Sequence, residues 1–316
     1  MICPYCGKEH DDEAKFCPEI GRRLVKKQCA NQGCSYRELL PADACFCPAC
    51  GEALDGKGSR QRRRPMPEGY RVDTEATSVD LSVFDTSGMR SMDYMFSYCE
   101  KLTKLDLAEF DTSNVTNMSS MFYRNSSLQE LDLASFNTSN VKSMYNMFCY
   151  CSSLRELNLT TFDTSKVIDM TQMFYECRSL HKLDVSIFDT SKVERMFNMF
   201  SDCSSLHELN LTTFDTSKVT TMGQMFCGCS QIKRLDLSNF DTSNVTNMNY
   251  MFSRCTALEE LDLSWFDMSK VTELKGMFNS CTALRKIVMR GCSGPTVAKV
   301  RGALAEARLK GVEIVL

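Results

Sequence analysis

The chain has 316 residues, 43% hydrophobic and 24% charged, with 37 basic against 40 acidic side chains and a net charge of −3. That is enough apolar surface for a sizeable core, and no run approaches the ~18 consecutive apolar residues of a membrane-spanning helix. Residues 1–70 hold 12 Lys and Arg against 10 Asp and Glu, whereas residues 71–316 hold 25 against 30, an acidic balance that argues against polyanion binding as the main activity.

The first residues, Met1-Ile2-Cys3-Pro4-Tyr5-Cys6-Gly7, lack the basic and then apolar run of a secretory signal peptide, which predicts a cytoplasmic location unless export uses another route. Eight of the 18 cysteines lie before residue 51. Cys29-x4-Cys34 and Cys47-x2-Cys50 are close pairs a dozen residues apart, and Gly51 follows the second. That spacing lets four thiolates converge on one zinc ion, and the glycine permits the tight turn around it. A first set is less complete. Cys3, Cys6 and Cys17 stand at ligand spacing, but Ile20 occupies the place of the fourth ligand. Either His10 or Cys45 completes a second zinc site, or this ribbon has lost its metal. Residues 1–54 therefore read as a cysteine-rich module with one complete and one incomplete zinc set. Residues 55–70 follow as a flexible linker rich in Gly, Pro and Arg, with four arginines between Arg60 and Arg64.

From residue 71 the chain repeats. Phe84, Phe110, Phe136, Phe162, Phe188, Phe214, Phe240 and Phe266 stand 26 residues apart, eight copies over residues 71–290. A fixed period in this range marks a solenoid, whose copies bury their apolar faces against one another. In each copy Leu105 and Leu107, or their equivalents, alternate with polar residues, which is a strand signal. Val115, Met118, Met121, Phe122 and Asn125 then fall three or four apart, a spacing that predicts a short helix capped by the preceding Asp-Thr-Ser. Strands joined by helical crossovers run parallel. The expected fold is thus α/β, a right-handed solenoid with a parallel sheet on one face and short helices on the other. Methionine rows starting at Met92 and Met95, and a cysteine row of Cys99, Cys151, Cys177, Cys203, Cys229, Cys255 and Cys281 with Asn125 in the remaining place, read as core. Pro295 to Lys310 reads as a closing helix and Val312 to Leu316 as a last strand, so residues 291–316 form a cap.

One outward row invites a functional reading. Asp106, Asp132, Asn158, Asp184, Asn210, Asp236 and Asp262 lie between the inward leucines, and carboxylates stacked ~4.8 Å apart repel. They form either an acidic strip that receives a basic partner segment or cations, or a solvated face. His181 and His207, 26 apart, read as exposed and passive. No Ser-His-Asp order, phosphate-binding glycine loop or isolated acid pair breaks the repeat, so no enzyme is expected.

Phrases such as LDLSNFDTSNVTNMNYMFSRC, Leu235 to Cys255, resemble the BspA-like leucine-rich repeats of bacterial surface proteins and mycoplasma lipoproteins, over about residues 75–290. Residues 1–54 resemble the double zinc ribbon at the N-terminus of many bacterial proteins. These resemblances imply a non-catalytic protein for adhesion or protein–protein contact, with the cell surface as an alternative location, and a monomer is expected. The competing reading is a nucleic-acid-associated or regulatory factor that binds through the ribbon and Arg60 to Arg64.

Overall fold

The computed structural model describes residues 63–316, together with the backbone of three short strands nearer the N-terminus, β1 (Phe16–Cys17), β2 (Arg22–Lys26) and β3 (Leu39–Pro41). Those three form an antiparallel sheet in the order β1-β2-β3. The chain divides into two compact units, residues 1–64 and 65–316. The zinc sets expected at Cys3, Cys6, His10 and Cys17 and at Cys29, Cys34, Cys47 and Cys50 lie outside the described side chains. Residues 65–70 go with the repeats, since Met66 and Val72 are buried in the repeat core and the Met66 amide donates to the Asp85 carbonyl at 2.8 Å.

The repeats stack in parallel. After β4 (Arg64–Pro65), which pairs with β5 (Phe84–Asp85), come β6 (Glu156–Leu157) and β7 (Lys182–Leu183), paired in parallel with Glu156 beside Lys182. Then β8 (Arg234–Asp236), β9 (Glu260–Asp262) and β10 (Lys286–Val288) pair in parallel at the 26-residue register, and β11 (Glu313–Val315) extends that sheet beside β10. The alternation expected of the strands is present: Leu107, Leu133, Leu159, Val185, Leu211, Leu237, Leu263 and Met289 are all buried, with exposed or half-buried neighbours at the Asp/Asn row.

The helices expected opposite the strands are absent from the repeats. Among the described residues the one α-helix is α1 (Gly294–Glu306). Each Met-Phe segment is instead a chain of linked turns. In the second copy the amides of Met121, Tyr123 and Asn125 donate to carbonyls three residues back, while those of Met118, Ser120, Phe122 and Arg124 donate to the next copy, at Ser143, Tyr145, Met147 and Cys149. Ser120 and Arg124 have left-handed backbones, φ 56° and 61°, which is the third position of a type II turn. Turns opening at every second residue, with a left-handed residue at every fourth, place apolar side chains at the same three-or-four spacing as a helix, and this is why the periodicity predicts one. Every second amide is thereby released to bond between copies. Just before the turns, an unbroken ladder of parallel bridges runs from Ser91 through Asn117, Ser143, Asp169, Arg195, Thr221 and Asn247 to Glu273.

The core is a set of columns. Phe96, Phe122, Phe148, Phe174, Phe200, Phe226, Phe252 and Phe278 stack face to face, with centroids 5.5 to 5.9 Å apart and planes within 8°. Such a stack adds to the burial of each ring. The methionine rows are buried as expected. The cysteine row is a row of donors. Sγ of Cys151, Cys177, Cys203, Cys229, Cys255 and Cys281 donates to the phenylalanine carbonyl 29 residues earlier, at 2.9 to 3.2 Å. Asn125 does the same through Nδ2, 2.9 Å from the Phe96 carbonyl, and this is why asparagine is admitted to a cysteine row.

The Asp-Thr-Ser segments cap no helix. The first side chain accepts the amide two residues on, as Asp111 does from Ser113 at 2.9 Å. The buried threonine donates to the main chain of the next copy, as Thr112 does to the Asn137 carbonyl at 2.9 Å, and in places also accepts from it, as from the Asn137 amide at 2.8 Å. In the last copy Met268 replaces the threonine, and Thr296 of α1 accepts its amide at 3.2 Å. The cap therefore continues the ladder that it closes. Lys299 adds two bonds, to the carbonyls of Met268 and Val271 at 2.6 and 2.8 Å.

Candidate functional site: the sheet face

The outward row is bound into the turns. Oδ1 of Asp106, Asp132, Asn158, Asp184, Asn210, Asp236 and Asp262 each accepts the backbone amide two residues on, at 2.8 to 3.1 Å. Asp80 extends the row by one copy toward the N-terminus. This is the short-range bond for which Asp and Asn are favoured at turns. The Ser186 hydroxyl and then its amide hold the Asp184 carboxyl below the usual range. The row therefore has a structural use in every copy, and its remaining polar atoms, Oδ2 of the aspartates and Nδ2 of Asn158 and Asn210, lie on a face where all but the half-buried Asp262 are exposed.

Beside it runs Lys104, Glu130, Glu156, Lys182, Glu208, Arg234, Glu260 and Lys286. Charge is compensated unevenly along this row. At the C-terminal end Glu260 pairs with Lys286 at 2.6 Å and faces Arg234 at 3.8 Å, and Lys286 holds the Glu260 carboxyl below its usual range. In the middle, among the described residues, Glu130, Asp132 and Glu156 have no cation within ion-pair distance. They line a shallow depression of about 540 Å³ with Leu131, Leu157, Asn158, Lys182 and Asp184. A second depression, of about 570 Å³, lies around His207, Glu208, Asn210, Lys233, Arg234 and Asp236. The structure thus brings three members of the predicted row, Asp132, Asn158 and Asp184, together with Glu130, Glu156 and Lys182 into one hollow in which acidic groups predominate. His181 and His207 are exposed, as expected.

Two features escaped the periodicity. The buried threonine row looks polar in sequence, and its place in the ladder follows only from the register of the copies. On the turn side, seven of the ten tyrosines fall in the linked turns, at 94, 98, 123, 145, 150, 175 and 250. Tyr98, Tyr123, Tyr150 and Tyr175 are separated by 25, 27 and 25 residues and slip past a search at 26.

Among the described residues no group of three or more His, Cys, Asp or Glu is arranged to hold a metal ion, and no helix is long and apolar enough to cross a membrane. No curated protein matches the sequence. Solved structures to which the chain is similar are bacterial leucine-rich repeat proteins. One from Bacteroides ovatus is 17% identical over 62% of this chain, with a TM-score of 0.35, and this chain spans 57% of its length. One from Leptospira interrogans is 14% identical over 69% of this chain and 67% of its own, with a TM-score of 0.25. The functional domain of InlJ from Listeria monocytogenes, which includes a cysteine ladder, is 16% identical over 75% of this chain and 65% of its own, with a TM-score of 0.18. The family described as "Mycoplasma protein of unknown function, DUF285" matches residues 70–183, 125–210, 147–237 and 206–291. With those overlapping matches running from residue 70 to residue 291, well over half of the chain, this protein belongs to the DUF285 family.

Proposed function

We propose that this chain is a non-catalytic scaffold that binds a protein partner along the sheet face of its solenoid, and that the partner presents a basic segment there. The observation that carries the reading is the acidic hollow at Glu130, Asp132, Glu156 and Asp184, whose first three carboxylates have no cation at ion-pair distance among the described residues. Neighbouring copies repeat the face every ~4.8 Å, so a peptide lying along the stack meets equivalent side chains in several copies. Lys or Arg side chains in the hollow relieve the repulsion between its carboxylates. In the same reading Cys29, Cys34, Cys47 and Cys50 hold a structural zinc in an N-terminal head.

The test is titration of a Lys-rich peptide onto the full chain and onto a Glu130→Gln/Glu156→Gln variant. Neither glutamate side chain bonds to the main chain in the structure, so the variant keeps its fold. Binding that weakens about tenfold in the variant, and steeply with added salt, supports the proposal. Equal affinity for both proteins, or no binding by either, rejects it.

A further inference from the structure

We propose that the tyrosine-bearing side of the linked turns is a second docking surface, where Arg124 receives a carboxylate from an acidic segment of a protein partner. Four rings form a ladder over four copies. Tyr98 meets Tyr123 with centroids 5.2 Å apart and planes at 78°, Tyr123 meets Tyr150 at 5.9 Å and 88°, and Tyr150 meets Tyr175 at 5.2 Å and 74°. These are edge-to-face contacts, the arrangement that aromatic pairs prefer. Beyond them the same two rows hold Glu176, Ser201, Asp202, Cys227, Gly228, Ser253, Arg254, Asn279 and Ser280, so the aromatic surface is confined to the N-terminal half of the stack.

Arg124 stands inside this ladder. Its guanidinium carbon lies 5.0 Å from the ring centre of Tyr150, 5.5 Å from Tyr98 and 5.8 Å from Tyr123. Its Nε is buried and has no hydrogen-bond acceptor. The other charges in these rows are paired. Glu176 bonds to Arg178, and Arg254 bonds to both carboxylate oxygens of Asp202 at 2.9 Å. Among the described residues Arg124 has no carboxylate at ion-pair distance. Three rings surround its charge without neutralising it, and they replace part of the water that would screen it. An arriving carboxylate therefore gains more here than at a solvated lysine.

Two further observations point the same way. Tyr98, Arg124 and Tyr150 have left-handed backbones, φ 63°, 61° and 62°, at a row position where Gly228 stands four copies after Arg124 and where large side chains are disfavoured. Tyr98 is 46% exposed, so the ladder is open to a partner at that end. Tyrosine around arginine is the composition of the energetic centre of a protein interface. This surface prefers the opposite charge to the sheet face, so the two proposals stand or fall separately.

A fluorescent Glu-rich peptide, its Gln-for-Glu counterpart and a Lys-rich peptide are titrated onto the full chain and its variants, with circular dichroism to check folding. The proposal expects the Glu-rich peptide to bind, its neutral counterpart to bind at least tenfold more weakly, and Arg124→Gln to lower affinity about tenfold. Arg124→Lys recovers part of the loss and Tyr98→Ala weakens binding. Three results overturn the proposal: no binding of the acidic peptide, affinity unchanged by Arg124→Gln in the folded variant, or affinity lost instead on replacing Arg60, Arg62, Arg63 and Arg64 by Gln.

Discussion

Replacing Asn125 by cysteine is expected to stabilise the solenoid. Asn125 is 1% exposed, and its Nδ2 makes the donor bond that cysteines make elsewhere in the row, but its Oδ1 is buried with no partner. A buried polar atom left unpaired costs about 1–3 kcal/mol, while an ordinary buried hydrogen bond contributes about 1 kcal/mol. Asn125→Cys removes the orphan oxygen and keeps a donor aimed at the Phe96 carbonyl. Part of the gain is offset because a thiol donates more weakly and fills less volume than an amide. The net expectation is a gain of about 1 kcal/mol, or an upward shift of roughly 2–4 °C in Tm for a unit of this size. Asn125→Ala loses the donor as well and should fall below the parent. Thermal unfolding followed by circular dichroism under reducing conditions gives the order Cys above Asn above Ala. If cysteine proves as damaging as alanine, the row is not a series of donors and the explanation for the asparagine fails.

The same row predicts alkaline lability. Burial raises the thiols of Cys151 and Cys281 to about 12 and, with Asp73 adding to it, Cys99 to about 11, from an ordinary value of 9.0. Cys177, Cys203, Cys229 and Cys255 are pushed up by burial too. A thiol raised on folding stabilises fully below its unfolded pKa and loses that contribution as pH rises toward the folded value, at about 1 kcal/mol per thiol per pH unit. The urea midpoint should therefore fall steeply above about pH 9, and a flat profile between pH 8 and 10 would refute the assignment. At Gly228, φ is +74° and an added Cβ would clash with Asp202 Oδ1, so Gly228→Ala should destabilise by at least about 1–2 kcal/mol. Gly302 lies in α1 with nothing within 4 Å, and Gly302→Ala should stabilise by about 0.5–1 kcal/mol; equal effects at the two glycines would contradict the geometry. Elemental analysis of the purified chain should find zinc, and a Cys47→Ser/Cys50→Ser variant should lose one equivalent; a chain free of zinc as isolated, with intact thiols, would reject the ribbon.

The repeat itself was legible because translation along the stack preserves residue type wherever the surroundings are the same. Leu105 and Leu107 and the Met and Phe rows follow from that symmetry, whereas the cap is read from helix start and stop signals at Pro295 and Gly311. α1 ends sooner than the apolar pattern predicts, and the left-handed residue that closes it is Arg308, φ 56°, in place of Gly311. The turns at Met118 to Asn125 were misread because apolar spacing reports which face is buried and not which backbone presents it. The tell-tale was the lack of a strong helix former at positions such as Ser120, Asn146 and Asn198, all of which have left-handed backbones. Asp106 and its successors were seen as a surface row, but their bond to the amide two residues on makes them turn formers first. The tyrosine ladder was hidden because its members alternate between two adjacent rows, and only side-chain packing across copies brings them together.

Consecutive copies stack by translation, each backbone bonded to the next. Spin labels carried on introduced keto amino acids at exposed positions of one row, Asn114 with Lys166, Lys218 or Lys270, measure it directly. These pairs are separated by two, four and six copies. Distances near 10, 19 and 29 Å are predicted, growing linearly at about 4.8 Å per copy. Distances that stop growing with copy number, or that are equal for the four-copy and six-copy pairs, would contradict a stack.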